Sequence, residues 1–329
     1  MKIKILNIEP DGYCGEAREI LKSVGSLCDQ TVTDQELLRI IPQYHALITR
    51  LGHYISKDII KTGINLKVIA TATTGLDHID MDAALSAGIK VISLKGEVDF
   101  LQTISATAEL SIGLILSISR NIPYAFNDVL KGGWSRDVFR GIELKGKTLG
   151  IIGYGRLGRM VGGFGLAFGM KVMVYDPLIS EVLDNIKKCS FEELLMESDF
   201  VSIHVPLNPM TKKMFGQSQF SQMKHSAYLI NTSRGDIIDE DAFLHALLNR
   251  TIAGAAIDVI SGEIDRPYLS QNMKIKELNR VCSPLIDYAL KNNNLIITPH
   301  IGGATIDSMR STEIFIADKI KYLIQSLNI

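Results

Sequence analysis

The sequence predicts an α/β protein made of two doubly wound domains. Short apolar runs rich in β-branched residues alternate with helical patterns from end to end, and repeated β–α units favour parallel sheets covered on both faces. The runs form two series, and the long apolar helical stretch "SATAELSIGLILSISRNIPYAF" between them suits a connection between domains. A chain of 329 residues is long enough for both domains.

The boundaries follow from these two series. Strands of the first series are predicted at 3–8, 46–50, 67–71 and 90–94, with helices at 15–24, 34–41, 56–62 and 80–87. Strands of the second series are predicted at 148–153, 171–175, 199–205, 227–231, 252–257 and 294–298. A long amphipathic helix follows the last strand. We expect one domain to comprise residues 1–101 and 296–329, and the other residues 102–295.

Composition argues against several classes of partner. The net charge of −1 gives no basic footprint for nucleic acid or an acidic membrane. The four cysteines form no C-x-x-C pair and the histidines show no metal-ligand spacing, so no metal site is predicted. The amino terminus has charges inside its apolar run, and the apolar stretch "LSIGLILSI" is too short to span a bilayer. We therefore expect a cytoplasmic protein that binds neither nucleic acid nor membranes.

A glycine motif predicts a dinucleotide site. The sequence G-x-G-x-x-G lies between the predicted strand "TLGII" and a predicted helix. Gly153 permits the tight turn, Gly155 lets the backbone approach a pyrophosphate at the helix amino terminus, and Gly158 permits close packing of helix on strand. We also predict that Arg156 and Leu157, inside the motif, bind the cofactor.

An acidic residue identifies the expected cofactor as NAD. The strand "KVMVYD" ends in Asp176, 18 residues after Gly158, where a carboxylate can bind the adenosine ribose hydroxyls. That charge repels a 2′-phosphate, and the following "DPLIS" offers no arginine. A second run of glycines at Gly163, Gly165 and Gly169 is interpreted as close helix–sheet packing, with Gly169 ending the helix.

Three further polar groups lie at or just beyond the carboxyl ends of predicted strands. These are Arg234, the pair Asp258 and Glu263, and His300, and ligands bind at this edge of an open parallel sheet. A guanidinium fork can hold a planar anion such as a carboxylate through charge-assisted bonds, and histidine can pass a proton in either direction. A carboxylate behind the imidazole fixes its orientation and favours its charged form. Arg234, Glu263 and His300 are therefore the candidate catalytic residues.

Several motifs in one order resemble the D-isomer-specific 2-hydroxyacid dehydrogenases. They are "TTGLDHIDMDAALSAGI", "TAELSIGLILSISR", "LKGKTLGIIGYGRLGR", "HVPLNPMTKKMF", "NTSRGDIID" and "TPHIGGAT", and they extend over almost the whole chain. The resemblance implies a flavodoxin-like substrate domain and a Rossmann-like NAD-binding domain. It also implies hydride transfer between NAD(H) and a small D-2-hydroxy acid, and a homodimer.

The resemblance also implies roles for matching positions. Arg234 would bind the substrate carboxylate and carbonyl, Glu263 would pair with the histidine, and His300 would be the acid/base. Asp258 matches the acid that contacts the nicotinamide amide. The positions that match residues lining the cofactor are Val205, Pro206, Thr211, Thr232 and Ser233. The positions that match substrate-domain loops are Thr74 and Gly75, at the substrate carboxylate, and Arg50, which either contacts the substrate's far end or is a solvated loop residue.

Some alternatives stay open at this level. A dinucleotide-sensing, corepressor-like binding protein shares the fold and can retain the same residues. The dimer is expected through the apolar stretch Leu110 to Ile118 and the arm around Trp134, unless that stretch is a buried helix. The chain departs from the family pattern at Thr73, where a glycine is common, and after Glu263, where Ile264 replaces a common proline. Lactate, 3-phosphoglycerate, and glyoxylate or hydroxypyruvate all remain candidate substrates.

Overall fold

The computed structural model describes residues 3–263 and 283–326, which form two compact units. In chain order the strands are β1 (Lys4–Asn7), β2 (Ser26–Asp29), β3 (Ala46–Thr49), β4 (Val68–Thr71), β5 (Lys90–Ile92), β6 (Thr148–Ile152), β7 (Lys171–Tyr175), β8 (Ile186–Lys188), β9 (Phe200–Ile203), β10 (Tyr228–Asn231), β11 (Gly254–Ile257) and β12 (Leu295–Ile297). The helices are α1 (Gly15–Lys22), α2 (Asp34–Ile40), α3 (Lys57–Thr62), α4 (Met81–Ser86), α5 (Val98–Gln102), α6 (Ala106–Ser119), α7 (Ile122–Leu130), α8 (Arg156–Ala167), α9 (Phe191–Glu197), α10 (Gln217–Gln222), α11 (Glu240–Leu248), α12 (Pro284–Ala289) and α13 (Ile306–Ser326). Short 3₁₀ helices lie at Ile41–Gln43, Arg136–Phe139 and Gly235–Ile237.

The first unit contains residues up to 104 and those from 305 onward. Its five strands are all parallel, in the order β2-β1-β3-β4-β5, which is the flavodoxin-like order. Apolar clusters cover both faces of the sheet, and α13 buries Ile316, Ala317, Ile320 and Ile324 against one of them. That spacing keeps one stripe of the helix on the core.

The second unit comprises Ser105 to Glu263 and residues 283–304. Its seven parallel strands have the order β12-β11-β10-β9-β6-β7-β8. The order reverses between β6 and β9, so the loops after these two strands diverge and leave a crevice at their carboxyl ends. The two sheets confirm the predicted α/β class with two doubly wound units.

The units divide close to the first expected boundary and away from the second. The first division falls between residues 104 and 105, where the sequence suggested 101 and 102. The second falls between residues 304 and 305, where the sequence suggested 295 and 296. β12 pairs with β11, and this pairing carries the following residues, including His300, into the second unit.

The segment Val98–Ser119 has the length and apolar composition of a membrane span, and 39% of an 18-residue apolar stretch within it is buried. It is longer than the uninterrupted apolar run "LSIGLILSI" that lies inside it. In the structure the segment is divided between α5 and α6, and α6 packs Ala108, Ile112 and Ile115 into a core cluster of the second unit. An apolar helix of 14 residues, such as α6, is typical of a helix buried in a protein core.

Candidate active site

The glycine loop after β6 has the geometry that a pyrophosphate requires. Gly153 has a left-handed φ of +88°, and a Cβ there would lie 2.7 Å from the His204 carbonyl oxygen. A Cβ on Gly158 would lie 2.1 Å from the Gly153 carbonyl oxygen, so α8 rests directly on the turn. Gly155, the N-cap residue of α8, has no atom within 4 Å of its Cβ position. The loop is therefore closed on its protein side and open above the helix amino terminus.

The rest of α8 places the helix against the sheet. Arg156 and Leu157 form its first turn, and Leu157 packs against the core. A Cβ on Gly165 would lie 2.7 Å from Leu149 Cδ2, while Gly163 has open space around it. Gly169 adopts a φ of +71° two residues after the helix ends. In the second run of glycines, Gly165 therefore allows α8 to pack closely on the sheet, and Gly169 ends the helix. Gly163 makes no close packing contact.

Asp176 lies beside the glycine loop at the end of β7. Its Oδ2 accepts a hydrogen bond from the Tyr154 N–H at 2.9 Å, and its Oδ1 accepts one from the Leu178 N–H at 2.8 Å. The carboxylate therefore joins the two loops that follow β6 and β7. Contact of this carboxylate with ribose hydroxyls, and its repulsion of a 2′-phosphate, stay predictions.

The loop after β9 contains three of the expected cofactor-lining residues. Val205 is next to the glycine turn, since its Cγ1 would lie 2.8 Å from a Cβ on Gly153. Thr211 Oγ1 donates to the Pro206 carbonyl oxygen at 2.6 Å and accepts from the Asn208 N–H at 2.9 Å. The Thr211 hydroxyl thus braces this loop from within.

The other two lining residues follow β10. Thr232 Oγ1 is 2.8 Å from Ser111 Oγ, a buried hydrogen bond between this segment and α6. Ser233 donates from its N–H and its hydroxyl to Asn231 Oδ1, at 3.0 and 2.8 Å. Asn231, which is not among the predicted site residues, shapes the turn that presents Arg234.

Arg234 lies at the end of that turn with an extended backbone. Its carbonyl oxygen accepts from Asn231 Nδ2 at 2.9 Å, and its Nη1 donates to the Ser233 carbonyl oxygen at 2.7 Å. Gly235 then packs directly on the loop after β11, since a Cβ there would lie 2.1 Å from the carbonyl carbon of Ile260. The half-buried Arg234 therefore belongs to a segment fixed against the neighbouring loop.

His300 and Glu263 form the side-chain pair that the sequence suggested. His300 Nδ1 lies 2.8 Å from Glu263 Oε1, and the two side chains are 24% and 21% exposed. With Nδ1 facing the carboxylate, Nε2 is the ring nitrogen left to exchange a proton. His300 also has a left-handed backbone with φ of +53°, which is uncommon outside glycine and asparagine. Its N–H donates to the Asp258 and Thr298 carbonyl oxygens, at 2.8 and 3.0 Å.

The Asp258 side chain holds this unusual loop. Its Oδ1 accepts from Thr298 Oγ1 at 2.5 Å and from the Ile301 N–H at 2.9 Å, and its Oδ2 accepts from the Gly302 N–H at 2.7 Å. Burial raises the pKa of the carboxyl above its usual value, and these hydrogen bonds act in the opposite direction. Asp258 is only 1% exposed, so its most direct role in this structure is to fix the loop that carries His300. Contact with a nicotinamide amide stays a prediction.

His204 has the features of a structural residue. Its Nε2 lies 2.8 Å from Ser202 Oγ. Burial lowers its pKa to about 4, so the ring is neutral at neutral pH.

The substrate-binding candidates outside this unit lie in the first unit. Thr74 and Gly75 follow β4, where Thr73 Oγ1 donates to the Gly75 carbonyl oxygen at 2.8 Å. The threonine that replaces the common glycine therefore braces the turn. Arg50 Nη2 donates to the Glu9 and Asp11 carbonyl oxygens, each at 2.6 Å. Its guanidinium is thus held by the first unit, and a role at the substrate stays a prediction.

Comparisons with known proteins point to one family. A family model described as D-isomer specific 2-hydroxyacid dehydrogenase, NAD binding domain, matches residues 112–302. The chain is 34% identical to a hydroxypyruvate reductase from Thermotoga maritima, over 93% of this chain and 94% of that protein. It is 35% identical to a D-3-phosphoglycerate dehydrogenase from Methanocaldococcus jannaschii, over 98% of this chain but only 58% of that protein.

A solved structure extends this comparison to three dimensions. D-Lactate dehydrogenase from Aquifex aeolicus, complexed with NAD and lactic acid, superposes with a TM-score of 0.82. The two sequences are 29% identical, and the match covers 98% of this chain and 97% of that one.

Proposed function

This chain belongs to the D-isomer specific 2-hydroxyacid dehydrogenases, whose cofactor is NAD, and we propose that it interconverts a small 2-oxo acid and its D-2-hydroxy acid. The observation that carries the proposal is the His300–Glu263 pair at 2.8 Å, on the strand edge that also presents Arg234. A carboxylate-oriented histidine beside a guanidinium suits proton exchange with the carbonyl oxygen of an anionic substrate.

The residues present fit NAD at the glycine loop and Asp176, where the protein surface is open over Gly155. When bound, the nicotinamide would supply the hydride to C2 of the oxo acid, or accept it in the reverse direction. Arg234 would hold the carboxylate and polarise the ketone oxygen. His300 Nε2 would donate a proton to that oxygen during reduction and remove it during oxidation. Glu263 would keep the Nδ1 side of the ring occupied and hold its orientation.

Steady-state assays would test the function directly. We expect NADH to be oxidised in the presence of at least one of glyoxylate, hydroxypyruvate, pyruvate and 3-phosphohydroxypyruvate, with the D-hydroxy acid as product. Chiral chromatography of the product checks the stereochemistry. NADH binding without turnover of any member of the panel would instead support the corepressor-like alternative.

Cofactor choice gives a further prediction. Asp176→Asn keeps one oxygen acceptor for the loop and removes the charge, so repulsion of a 2′-phosphate should fall. We expect the ratio of kcat/KM for NADPH over NADH to rise roughly tenfold, equivalent to about 1.4 kcal/mol. Asp184→Asn, at an exposed position on the loop after β7, is the matched control. An unchanged ratio in Asp176→Asn would mean that the carboxylate does not face the ribose.

We also propose a homodimer, formed through α7 and the arm around Trp134 and not through the stretch Leu110 to Ile118. Most apolar residues between Leu110 and Ile118 are buried inside the second unit, so α6 is mainly a core helix. Exposed apolar side chains lie instead on α7 and in the segment after it. Each of the following is at least 50% exposed: Ile122, Phe126, Leu130, Trp134 and Val138. The first three are four residues apart and so share one face of α7. Exposed apolar side chains concentrated in one segment are typical of a protein–protein interface.

This surface predicts the outcome of a mass measurement. Light scattering at micromolar concentration should give twice the chain mass, and Phe126→Glu should give the mass of one chain because a buried unpaired charge opposes association. Leu248→Glu, at an isolated apolar position on α11 that is 59% exposed, is the control and should remain dimeric. A monomeric parent protein would remove the dimer proposal.

A further inference from the structure

The Glu263–His300 pair depends on a short turn at Ser261 to Glu263, which is held by contacts with other segments of the second unit. Glu263 follows the loop after β11, in which Gly262 adopts a left-handed φ of +67°. The carboxylate must stay within 2.8 Å of His300 Nδ1 for the pair to persist. β11 itself ends at Ile257, six residues before Glu263, so strand pairing alone does not fix the position of this side chain.

Ser261 joins this turn to the segment that follows Arg234. Its hydroxyl donates to Asp236 Oδ1, and its N–H donates to Glu240 Oε1 at 2.7 Å. Asp236 lies in the 3₁₀ helix directly after Arg234, and Glu240 is the first residue of α11. The hydroxyl and the backbone of Ser261 thus bind two different carboxylates.

The backbones of the two segments are also in direct contact. A Cβ on Gly235 would lie 2.4 Å from the Ser261 nitrogen, so no side chain separates them. Gly235 is adjacent to Arg234, and Ser261 is two residues before Glu263. The contact therefore joins the residue expected to hold the substrate to the residue that orients the acid/base.

We propose that Ser261 is a positioning residue, which through Asp236 and Glu240 sets the place of Glu263 and hence the orientation of the His300 ring. The inference rests on the proposed function and adds a specific chain of contacts to it. Two charge-assisted hydrogen bonds hold the turn, and such bonds are stronger than neutral ones. A purely structural role would affect unfolding but would leave the state of the His300 ring unchanged.

The orientation of the ring can be read without substrate. In protein labelled with ¹⁵N-histidine, the neutral His300 ring should carry its proton on Nδ1, because that nitrogen faces Glu263. Ser261→Ala should increase the share of the tautomer protonated on Nε2. Asp236→Ala, which removes the same hydrogen bond from the other side, should cause the same change. Ser261→Thr keeps a hydroxyl and should retain the parent spectrum.

Kinetics provide the second measurement. Ser261→Ala should lower kcat for the oxo acid roughly tenfold, a smaller loss than the 10²-fold that a displacement of about 1 Å can cause. The dissociation constant for NADH should not change, because the glycine loop is separate from this turn. In a Glu263→Gln background, Ser261→Ala should lower kcat less than about twofold, because the effects of substituting residues that act through one another do not add.

The controls and the contrary outcomes are specific. Ser221→Ala removes an exposed hydroxyl from α10 that bonds to the Ser218 carbonyl oxygen, and should leave spectrum and kcat unchanged. Parent-like His300 signals in both Ser261→Ala and Asp236→Ala would overturn the proposal. So would a tenfold loss from Ser261→Ala that persists in Glu263→Gln. Failure of the parent protein to turn over any oxo acid would refute the proposed function alone, because the tautomer measurement needs no turnover.

Discussion

Replacement of His300 by asparagine should lower kcat/KM for oxo-acid reduction roughly 10²- to 10⁴-fold, the range expected for loss of a general acid. Asparagine is the informative choice because the backbone here has φ of +53°, a conformation that asparagine tolerates better than most residues. The substitution thus removes the ring while retaining the loop held by Asp258. Stopped-flow measurement of hydride transfer would show whether the loss lies in the chemical step.

Two controls separate chemistry from folding in this experiment. NADH binding, followed by fluorescence, should be retained in His300→Asn, since the glycine loop is unaffected. His225→Asn changes an exposed histidine after α10 and should keep parent activity. Activity within threefold of the parent in His300→Asn would require a different proton donor.

Replacement of Arg234 by alanine should lower kcat/KM roughly 10²- to 10³-fold. A loss of this size is typical when an enzyme loses one hydrogen-bond donor to an oxygen that becomes negatively charged in the transition state. The segment that presents the guanidinium is fixed by Asn231 and by the contact of Gly235 with Ile260, so the loss should come from the side chain itself. Arg234→Lys keeps the charge but loses the planar fork, and should recover only part of the activity. Initial rates over a range of oxo-acid concentrations would separate kcat from KM.

An exposed arginine provides the comparison. Arg250→Lys, just after α11, makes the same chemical change and should leave the kinetic constants unchanged. If Arg234→Lys and Arg250→Lys behaved alike, a bidentate contact at Arg234 would be excluded.

The strands predicted from sequence match the described strands except at one edge of each sheet. Each predicted strand has a counterpart, because buried parallel strands give continuous apolar runs. The two strands that were missed, β2 ("SLCD") and β8 ("IKK"), are both edge strands. Neither buries more than one side chain, so local hydrophobicity could not reveal them.

The site was only partly accessible from sequence. Residue type and position after strands identified His300, Glu263 and Arg234, and the structure brings the first two into contact. The Ser261–Asp236 contact was not predicted because it joins residues 25 apart in sequence through a side chain with no chemical signature of its own. The segment between Glu263 and His300 lies partly outside the described residues. Its later part, from residue 283, contains α12.

Because α13 packs on the first unit, that unit can be completed only after the second unit has been synthesised. The strands of the first unit leave the ribosome before the second unit does, yet one of their apolar faces is covered by Ile316, Ala317 and Ile320, which are synthesised after the second unit. The nascent five-stranded sheet therefore keeps a hydrophobic face uncovered while the whole second unit is translated. Such exposed apolar surface makes a nascent chain prone to aggregation and a client for chaperones.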